Sequence, residues 1–596
     1  MSERRASIFR LNPLLSRFVP SAVATMLAPP LEHMLSLRRL ARVYEQLADT
    51  GDPVDFANSA IDYLKVRFEP HGALDEIPAT GPLVMVANHP FGGIEGLYLY
   101  SFLATRRSDV RILGNQLLSR VQELRPALFS VDVLGGRAAA RANSGALRRA
   151  LRWVADGGAL LVFPSGEVST FDPATRTVVD SAWSSSVARL VRLTKAEVVP
   201  VFIDGNNSPL FHIAGFVHPR LRTALLPREL LNKGYRRIRV QVGRPVTAKQ
   251  VEGLDGDEAL IEHLRLRVYA LASDCRQTVD LDRAAAGRAL EPVARAAPGE
   301  WLEREVASLD PAQRLCTGGG LEVWHANGAV VPQLMQEIGR VRELTFRVAG
   351  EGTGRSRDVD LFDGYYQQLF VWNPLSREIV GGYRIGHTDR ILSRFGIRGL
   401  YTSTLFKYHK SLLPSLAPAL ELGRSFVRPE YQRNFAPLLL LWKGLAAYVI
   451  EHPHYRTMFG PVSISNDYTQ ASRALLTGFL HSRHSDLERR GLARPRHPLP
   501  TDGDMRLVRR AAAEVETLEA IESLLNSIER DGKGVPVLLR QYLKLGAKAI
   551  GFNVDDTFGH SIDVLIAVDL DAIDDKVLVK YMGAAGAARF RAARRI

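Results

Sequence analysis

The sequence predicts an α/β protein with two domains. With 596 residues, the chain is longer than one hydrophobic core ordinarily supports, so two domains of roughly 250 to 300 residues are expected. In both halves, short apolar runs that end in Pro or Gly alternate with helical patterns, which is typical of α/β domains. Residues 281–299 are small, charged and irregular, which predicts a linker between an N-terminal domain, residues 1–280, and a C-terminal domain, residues 300–596.

Composition and charge narrow the function classes. The chain is 46% hydrophobic and 24% charged, which is typical of a folded globular protein. Its net charge of +13 and pI near 9.7 predict an acidic partner: nucleic acid, an anionic membrane surface or an acidic carrier protein. Cys275 and Cys316 are too few for a disulfide framework and favour a reducing compartment. The pair His452-Pro453-His454 lacks further ligands nearby, so no metal is expected.

The hydropathy pattern argues against a membrane span. No run of about 18 apolar residues occurs in the sequence. Residues 9–18 and 34–44 are amphipathic, and the second stretch carries Arg38, Arg39 and Arg42, which suits an anionic lipid surface. The alternative is that both stretches pack on the first domain. We therefore expect a cytoplasmic protein or one that lies on a membrane face; the family resemblance described below implies a peripheral position on the inner face of a bacterial cytoplasmic membrane.

The first candidate site follows an apolar run at residues 83–86. This run ends in a Pro-Phe-Gly-Gly turn, which predicts a buried strand, so Asn88 and His89 lie past its C-terminal end. Ligands of open α/β sheets bind at that edge. There His89 can take a proton from a hydroxyl nucleophile while Glu95 fixes the imidazole tautomer. Alternatively, His89 caps a turn and Glu95 is a solvated acid at a helix start.

A second strand pattern, residues 157–162, ends in the motif Phe163-Pro164-Ser165-Gly166-Glu167. With Asn88-His89, this motif resembles the PlsC-like glycerolipid acyltransferases, which carry an Asn-His motif, a following acid and a later Phe-Pro-x-Gly motif. The resemblance implies an α/β fold, acyl transfer to a hydroxyl with His89 and Glu95 as catalytic pair, and substrate contacts from Asn88, Pro164, Gly166 and Glu167. Five residues separate His89 from Glu95, whereas that family usually has four between the His and its acid. Glu167 also comes later than the Glu of the family's usual Phe-Pro-Glu-Gly motif, since it follows Gly166. Whether Glu95 or Glu167 partners His89 therefore stays open.

Two arginines between these motifs are candidates for a headgroup contact. Arg137 and Arg141 follow a glycine pair in a predicted loop, where a backbone nest and guanidinium groups can hold a phosphate or carboxylate. Their alternative role is that of solvated surface arginines. The remaining predicted elements of this domain are helices at 55–68, 143–155 and 257–275, strands at 109–114, 198–202 and 238–243, and a loop at 204–219.

The C-terminal half shows a strand, a loop and a helix in direct succession. Residues 368–372, 378–385 and 419–427 have strand patterns, and a long apolar helix begins near Pro437. The last strand with this helix resembles the acyl-donor element of the GNAT N-acyltransferases. In that fold, backbone N–H groups at the helix N-terminus hold the phosphate of a pantetheine-linked donor.

Further motifs resemble the branch of ornithine N-acyltransferases and acyl-homoserine-lactone synthases. That branch has an early Arg, an Asp-x-x-Asp stretch, a Gly-x-x-Arg strand and a Glu-x-x-Arg strand, which fall here on Arg347, Asp360, Asp363, Arg384, Glu421 and Arg424. The resemblance implies that Glu421 is the base for an acceptor amine and that Asp360 and Asp363 hold its ammonium, with the arginines as further substrate contacts. The alternative is that Glu421 and Arg424 only brace their strand.

The loop before the apolar helix bears on the acyl donor. Residues 432–436 lack the glycines that usually bind the pyrophosphate of coenzyme A. Since the chain is basic, we expect an acidic acyl carrier protein as donor in preference to coenzyme A, with no further cofactor.

Taken together, the two halves resemble the bifunctional ornithine lipid synthases. This implies that the C-terminal domain N-acylates ornithine or a similar amino acid with a 3-hydroxyacyl group, and that the N-terminal domain acylates the resulting hydroxyl. The expected partners are acyl carrier protein, an anionic membrane surface and a lipid substrate, but no nucleic acid. The alternatives are an N-acyltransferase whose first domain only docks to membranes, a lactone signal synthase, and a basic nucleic-acid-binding protein, which no motif supports.

Overall fold

The computed structural model describes residues 11, 20–47, 51–131, 136–173, 176–272, 290–500 and 503–594. The chain divides into two compact units, Met1–Leu281 with Asp502–Val508, and Asp282–Thr501 with Arg509–Ile596. Both are α/β, as the sequence predicts. Of the amphipathic stretch 9–18, only Leu11 lies within the described residues. Residues 281–289 of the predicted linker lie outside them.

The first unit has ten helices and nine strands among its described residues. The helices are α1 (Ser21–Met34), α2 (Leu37–Leu47), α3 (Pro53–Leu64), α4 (Ile94–Ala104), α5 (Gly136–Ala155), α6 (Ser185–Thr194), α7 (Pro209–Val217), α8 (Pro219–Leu231), α9 (Ala248–Glu252) and α10 (Gly256–Ala270). The strands are β1 (Arg67–Gly72), β2 (Leu83–Ala87), β3 (Val110–Asn115), β4 (Leu128–Val131), β5 (Ala159–Val162), β6 (Thr170–Asp172), β7 (Thr177–Val179), β8 (Glu197–Ile203) and β9 (Arg237–Val242).

A seven-stranded sheet with the order β1-β9-β8-β2-β5-β3-β4 organises this unit. Its neighbours are parallel except for β8 and β9. Strand β2 is fully buried and central, because apolar clusters cover both faces of the sheet. The chain leaves β2 immediately before Asn88 and His89, so both residues lie at the carboxyl edge of the sheet.

Several predicted boundaries in this unit were wrong. The helix predicted at 55–68 ends at Leu64, because Lys65 takes a left-handed conformation with φ of 52° and the chain continues into β1. The loop predicted at 204–219 contains α7, which Ser208 caps through a hydrogen bond to the N–H of Phe211. Helix α5 starts at Gly136, so Arg137 and Arg141 lie in a helix rather than a loop, and their side chains lie outside the described residues.

The second unit has ten strands, β10 to β19, among its described residues. They are β10 (Arg314–Gly318), β11 (Leu321–Asn327), β12 (Gln367–Asn373), β13 (Glu378–His387), β14 (Phe406–Tyr408), β15 (Ala419–Val427), β16 (Thr457–Ile464), β17 (Ala493–Pro495), β18 (Lys548–Asp555) and β19 (Ser561–Asp569). The helices are α11 (Gly299–Ala307), α12 (Pro332–Val348), α13 (Thr388–Phe395), α14 (Leu412–Leu416), α15 (Ala436–Glu451), α16 (Gln470–Arg483), α17 (Gly503–Ala512, which begins in the first unit), α18 (Leu518–Ile528), α19 (Val537–Lys544) and α20 (Asp575–Ala593).

The eight-stranded sheet of this unit opens between β15 and β16. Its order is β10-β11-β12-β13-β15-β16-β19-β18, and β15 and β16 form its parallel pair. They pair only from Ala419 to Glu421 against Thr457 to Phe459, and beyond that point their ladder stops. A cleft therefore forms between them. At its closed end Gly460 lies so near the backbone of Leu422 that an added Cβ would lie 2.0 Å from the Leu422 carbonyl oxygen.

We predict that Gly460→Ala destabilises the second unit. The new methyl group must push β15 and β16 apart where they converge, and such overpacking costs about 1–3 kcal/mol. Urea unfolding followed by tryptophan fluorescence measures this loss. The control is Gly364→Ala, because nothing lies within 4 Å of a Cβ added there. Equal stability of the two variants would contradict the close approach of the strands.

Candidate active sites

A histidine and a buried glutamate form the first site. The Nδ1 atom of His89 lies 3.0 Å from Oε1 of Glu95, whose side chain is fully buried at the start of α4. The carboxylate also accepts hydrogen bonds from the backbone N–H groups of Phe91 and Gly92 at 2.8 Å and of Gly93 at 3.0 Å. Gly92 has φ of 89°, a conformation that glycine adopts without strain. The turn thus wraps its own N–H groups around Glu95.

The electrostatics keep this glutamate ionised. Burial by itself raises the pKa of Glu95, but the His89 imidazole and the N–H groups of Gly93 and Gly92 outweigh it and lower the pKa to about 2. An ionised Glu95 holds the proton of His89 on Nδ1, so Nε2 is the ring atom that can accept a proton from a substrate. The pair therefore has the arrangement of a general base with its orienting acid.

Two further residues position His89, and the sequence analysis missed one of them. The Phe163 ring stacks on the imidazole with centroids 4.2 Å apart. Asp180, which is buried, accepts hydrogen bonds from the His89 backbone N–H at 3.2 Å and from Trp183 Nε1 at 3.0 Å. Since Asp180 is 91 residues away along the chain, no local spacing could reveal it.

Asn88 connects two strands. Its side-chain amide donates to the carbonyl oxygen of Ile203 at 2.9 Å and accepts from the N–H of the same residue at 2.7 Å. The side chain is buried and both of its polar atoms are used by β8. Its predicted contact with substrate stays a prediction.

The Phe-Pro motif lies beside His89, but its acid, Glu167, does not pair with the imidazole. Pro164 is buried, and Gly166 closes the turn with φ of 64° and a hydrogen bond to the carbonyl of Phe163. Glu167 is exposed and pairs with Arg222 of α8 at 3.0 Å. Of the two acids considered, Glu95 is thus the one in contact with His89.

The motif residues of the second unit form one buried network of opposite charges. Arg384 is completely buried, and its Nη1 lies 2.6 Å from Asp360 and 3.3 Å from Asp363. Arg342 of α12, which is not one of the six predicted residues, lies 2.9 Å from Asp363. Arg424 continues the network through Asp358 at 2.9 Å and Asp360 at 3.8 Å. The structure therefore brings together four of the six predicted residues.

These charges hold one another in the ionised state. Burial raises the pKa of Asp363, but Arg342 and Arg384 reverse this and keep it well below its ordinary value. Burial lowers the pKa of Arg384, and Asp363 and Asp360 raise it above its ordinary value. The carboxylates of Asp360 and Asp363 are thus occupied by guanidinium groups of the chain itself. Their contact with an acceptor ammonium stays a prediction.

Arg347 is apart from this network. Its Nε atom pairs with Glu343 at 2.7 Å, and Nη2 donates to the carbonyl of Arg355 at 2.7 Å. Glu343 also accepts hydrogen bonds from Thr353 and Gly354, so the pair organises the loop after α12.

Glu421 is fully buried, and its own neighbours surround it. Its carboxylate accepts hydrogen bonds from the N–H groups of Thr402 at 2.7 Å and Tyr401 at 3.2 Å, and from the hydroxyls of Thr402 and Tyr366. Burial raises the pKa of Glu421 in spite of these donors. The side chain does not line the cleft between β15 and β16, and its role as a base stays a prediction.

The cleft has an apolar part and a polar part. Leu422, Met458, Phe459, Leu538, Tyr542 and Ile566 are among the apolar and aromatic side chains that line it, and the polar lining residues include Tyr401, Arg424, Ser425, Ser463 and Asp563. Arg424 has φ of 50° at an irregular point of the β13–β15 ladder, a strained conformation of the kind that clusters at functional sites. Sequence analysis missed Asp563, although a lone acid in the apolar run 562–568 is a visible signal.

Within the described part of the chain, no group of three or more His, Cys, Asp or Glu side chains could hold a metal ion. Among the same residues, no helix combines the length and apolarity needed to cross a bilayer. Cys316 is a half-buried free thiol, and Cys275 lies outside the described residues.

Comparisons with known proteins match both units. A family model described as acyltransferase matches residues 13–276, and one described as acetyltransferase (GNAT) domain matches residues 341–443. The glycine N(alpha)-acyltransferase of Bacteroides thetaiotaomicron is 32% identical over 302 residues, which are 48% of this chain and 88% of that protein.

Two further relatives are similar to this chain. The L-ornithine N(alpha)-acyltransferase of Brucella abortus is 30% identical over 285 residues, which are 45% of this chain and 90% of that protein. The lyso-glycine lipid O-acyltransferase of Phocaeicola vulgatus is 26% identical over 204 residues, which are 32% of this chain and 69% of that protein.

We predict that Arg384→Met strongly destabilises the second unit. The substitution keeps most of the volume but leaves Asp360 and Asp363 short of a buried counter-charge, which costs about 3–5 kcal/mol. The matched control is Arg377→Met, which breaks the exposed pair with Glu303 and costs less than about 1 kcal/mol. Urea unfolding of both variants measures the difference. A loss at Arg384 no larger than at Arg377 would contradict the network.

Proposed function

The chain belongs to the bacterial amino acid N(alpha)-acyltransferases, and we propose that it is a bifunctional acyltransferase of aminolipid synthesis. The C-terminal unit joins a 3-hydroxyacyl group to the α-amine of ornithine or a similar small amino acid. The N-terminal unit then acylates the 3-hydroxyl of that lyso-lipid. The observation that carries this proposal is that one chain contains both the His89–Glu95 pair, in a unit that matches an acyltransferase model, and a cleft in the unit that matches a GNAT model.

Relatives named for each of the two steps support the pairing of activities. N-acylation is named for glycine and for ornithine in proteins that match this chain at 32% and 30% identity, so both amino acids are candidate acceptors. A relative named for O-acylation of a lyso-lipid matches at 26%. The product of the first activity would carry the hydroxyl that the second activity needs.

His89 and Glu95 would carry out the O-acylation. Nε2 of His89 takes the proton of the 3-hydroxyl as its oxygen attacks the thioester carbonyl, and the ionised Glu95 stabilises the imidazolium that forms. Collapse of the tetrahedral intermediate breaks the C–S bond, and the imidazolium returns its proton to the leaving thiolate.

Acyl carrier protein is the proposed donor for the N-acylation. The N–H of Ala436 at the start of α15 is already bonded to the Asn434 side chain at 2.9 Å, which leaves one donor fewer for a pyrophosphate. A carrier protein presents only one phosphate on an acidic surface, which suits a chain of net charge +13. No further cofactor is required by either reaction.

The helices beside His89 support a peripheral position on the inner face of the membrane. Ile213, Phe216 and Val217 of α7 are 60 to 72% exposed although they are large and apolar. The neighbouring α8 borders the catalytic turn, where Leu226 packs against Gly92. Exposed Arg38, Arg39 and Arg42 on α2, which packs on α8, add charge that attracts anionic lipid. A lipid substrate could then reach His89 from the bilayer.

We predict that His89→Ala blocks the second step alone. Loss of the base should lower O-acylation about 100-fold to 10,000-fold, so the monoacyl aminolipid accumulates. The variant, the wild type and the control His71→Ala, which changes an exposed histidine of the same unit, are expressed in a bacterium lacking aminolipids. Mass spectrometry of lipid extracts identifies the amino acid and counts the chains. Unchanged diacyl product in His89→Ala would favour the docking-module alternative.

We also predict that α7 contributes to membrane binding. The triple substitution I213S, F216S and V217S should weaken sedimentation with anionic vesicles about tenfold or more, since each buried apolar side chain contributes about 1.5–3 kcal/mol. The control is Leu375→Ser, a similarly exposed apolar residue of the other unit. Unchanged vesicle binding of the triple variant would exclude α7 from the lipid contact.

A further inference from the structure

Asp563 is a buried acid in the cleft with one oxygen unused. The residue lies on β19 opposite Ser463 of β16 and Asn553 of β18, and it is only 5% exposed. Its Oδ2 atom has no hydrogen-bond partner among the described residues. Of the residues that line the cleft, it is the one carboxylate. A buried polar atom without a partner costs free energy, so its retention at a cleft indicates a ligand that is yet to bind.

The charges around Asp563 favour a cation. Asp555 on β18 and Glu351 after α12 are buried acids in its neighbourhood, and burial together with these two acids raises the pKa of Asp563, which Arg424 and Asn553 offset only in part. Burial likewise raises the pKa of Glu351 to about 7, and its carboxylate accepts a hydrogen bond from Ser463 at 3.0 Å. Arg424 is already held by Asp358 and Asp360.

We propose that Asp563 binds the acceptor amine in the cleft and removes the proton that must leave before its nitrogen can attack. The proposal rests on the proposed N-acylation and names the site of its nucleophile. The ligand class is a primary α-amine that arrives as ammonium. Ser463 and Arg424 line the same cleft as Asp563.

The acids that the sequence motifs predicted for this site already have partners within the chain. Glu421 receives four hydrogen bonds from its neighbours and does not line the cleft. Asp360 and Asp363 are paired with arginines. Asp563 therefore competes with Glu421 for the role of base.

The Asp563 carboxylate takes one proton from the ammonium, and the free amine attacks the thioester carbonyl to form the C–N bond. The tetrahedral intermediate then breaks its C–S bond. The second proton of the nitrogen passes to the leaving thiolate, so the products are an amide and a thiol, and Asp563 later releases its proton to solvent.

The test compares the full-length wild type with Asp563→Asn, Glu421→Gln and the control Asp569→Asn, which makes the same change at the exposed end of β19. The assay uses a 3-hydroxyhexadecanoyl acyl carrier protein with radiolabelled glycine or ornithine and measures kcat and KM for the amino acid from pH 6 to pH 9. Asp563→Asn should lower kcat/KM at pH 7 about 100-fold or more, whereas Asp569→Asn should stay within about twofold of wild type.

The pH profile separates a catalytic role from a structural one. Without its base, Asp563→Asn must rely on free amine from solution, so its rate should rise about tenfold per pH unit until the amine's own pKa is reached. The titratable and charged groups that face Asp563, namely Glu351, Tyr401, Arg424 and Asp555, are unchanged in this variant. Its unfolding temperature should equal or exceed that of wild type, since an acid buried near the two buried acids Asp555 and Glu351 is replaced by a neutral amide.

Other results would overturn the inference. A wild-type rate in Asp563→Asn would do so, as would a pH-independent loss accompanied by a lower unfolding temperature. If Glu421→Gln alone shows the steep pH profile, the base is Glu421. If wild type forms no amide with either amino acid, the proposed function itself fails.

Discussion

A charge that leaves water must find an opposite charge or a ring of dipoles, and this constraint shapes the sites of both units. Glu95 meets it with His89 and three backbone N–H groups, which forces the turn after β2 to curl around the carboxylate. Arg384 meets it with Asp360 and Asp363, which ties the loop after α12 to the sheet. In each unit, the paired charges therefore fix the backbone next to the candidate site.

Much of this arrangement could be predicted from the sequence where the signal is local. The strand predicted at 419–427 has the bounds observed for β15, and the acid nearest His89 in the chain is the one that contacts it. Prediction from the sequence failed where the deciding contact joins residues that are far apart in the chain. Asp180 contacts His89 from 91 residues away along the chain, and the helix α7 forms in a stretch whose Pro and Asn residues favour a loop. Asp563 looked like one acid in a strand because its unused oxygen is visible only in three dimensions.

In the proposed reactions, the two units would use different nucleophiles, a hydroxyl and an amine, against the same kind of thioester electrophile. A hydroxyl has a high pKa and must be deprotonated during attack, which suits an imidazole with an ionised acid behind it. An amine is nucleophilic once a single proton has left, so a cleft with one carboxylate suffices. Under this proposal, the difference would account for one unit surrounding its acid with donors while the other leaves a carboxylate oxygen unused beside Arg424.

Asn88 has a consequence for how far this catalytic turn can vary. Its side-chain amide donates to and accepts from Ile203 as a peptide group would, so the β2–β8 ladder effectively extends one residue past the strand. His89 is thereby anchored from the sheet side, independently of the residues that follow it. Between His89 and Glu95, Gly92 takes a positive φ of 89°, which lets a turn of five residues bring the carboxylate back to the imidazole. The contact between imidazole and acid thus depends on how the turn curls as well as on how many residues it contains.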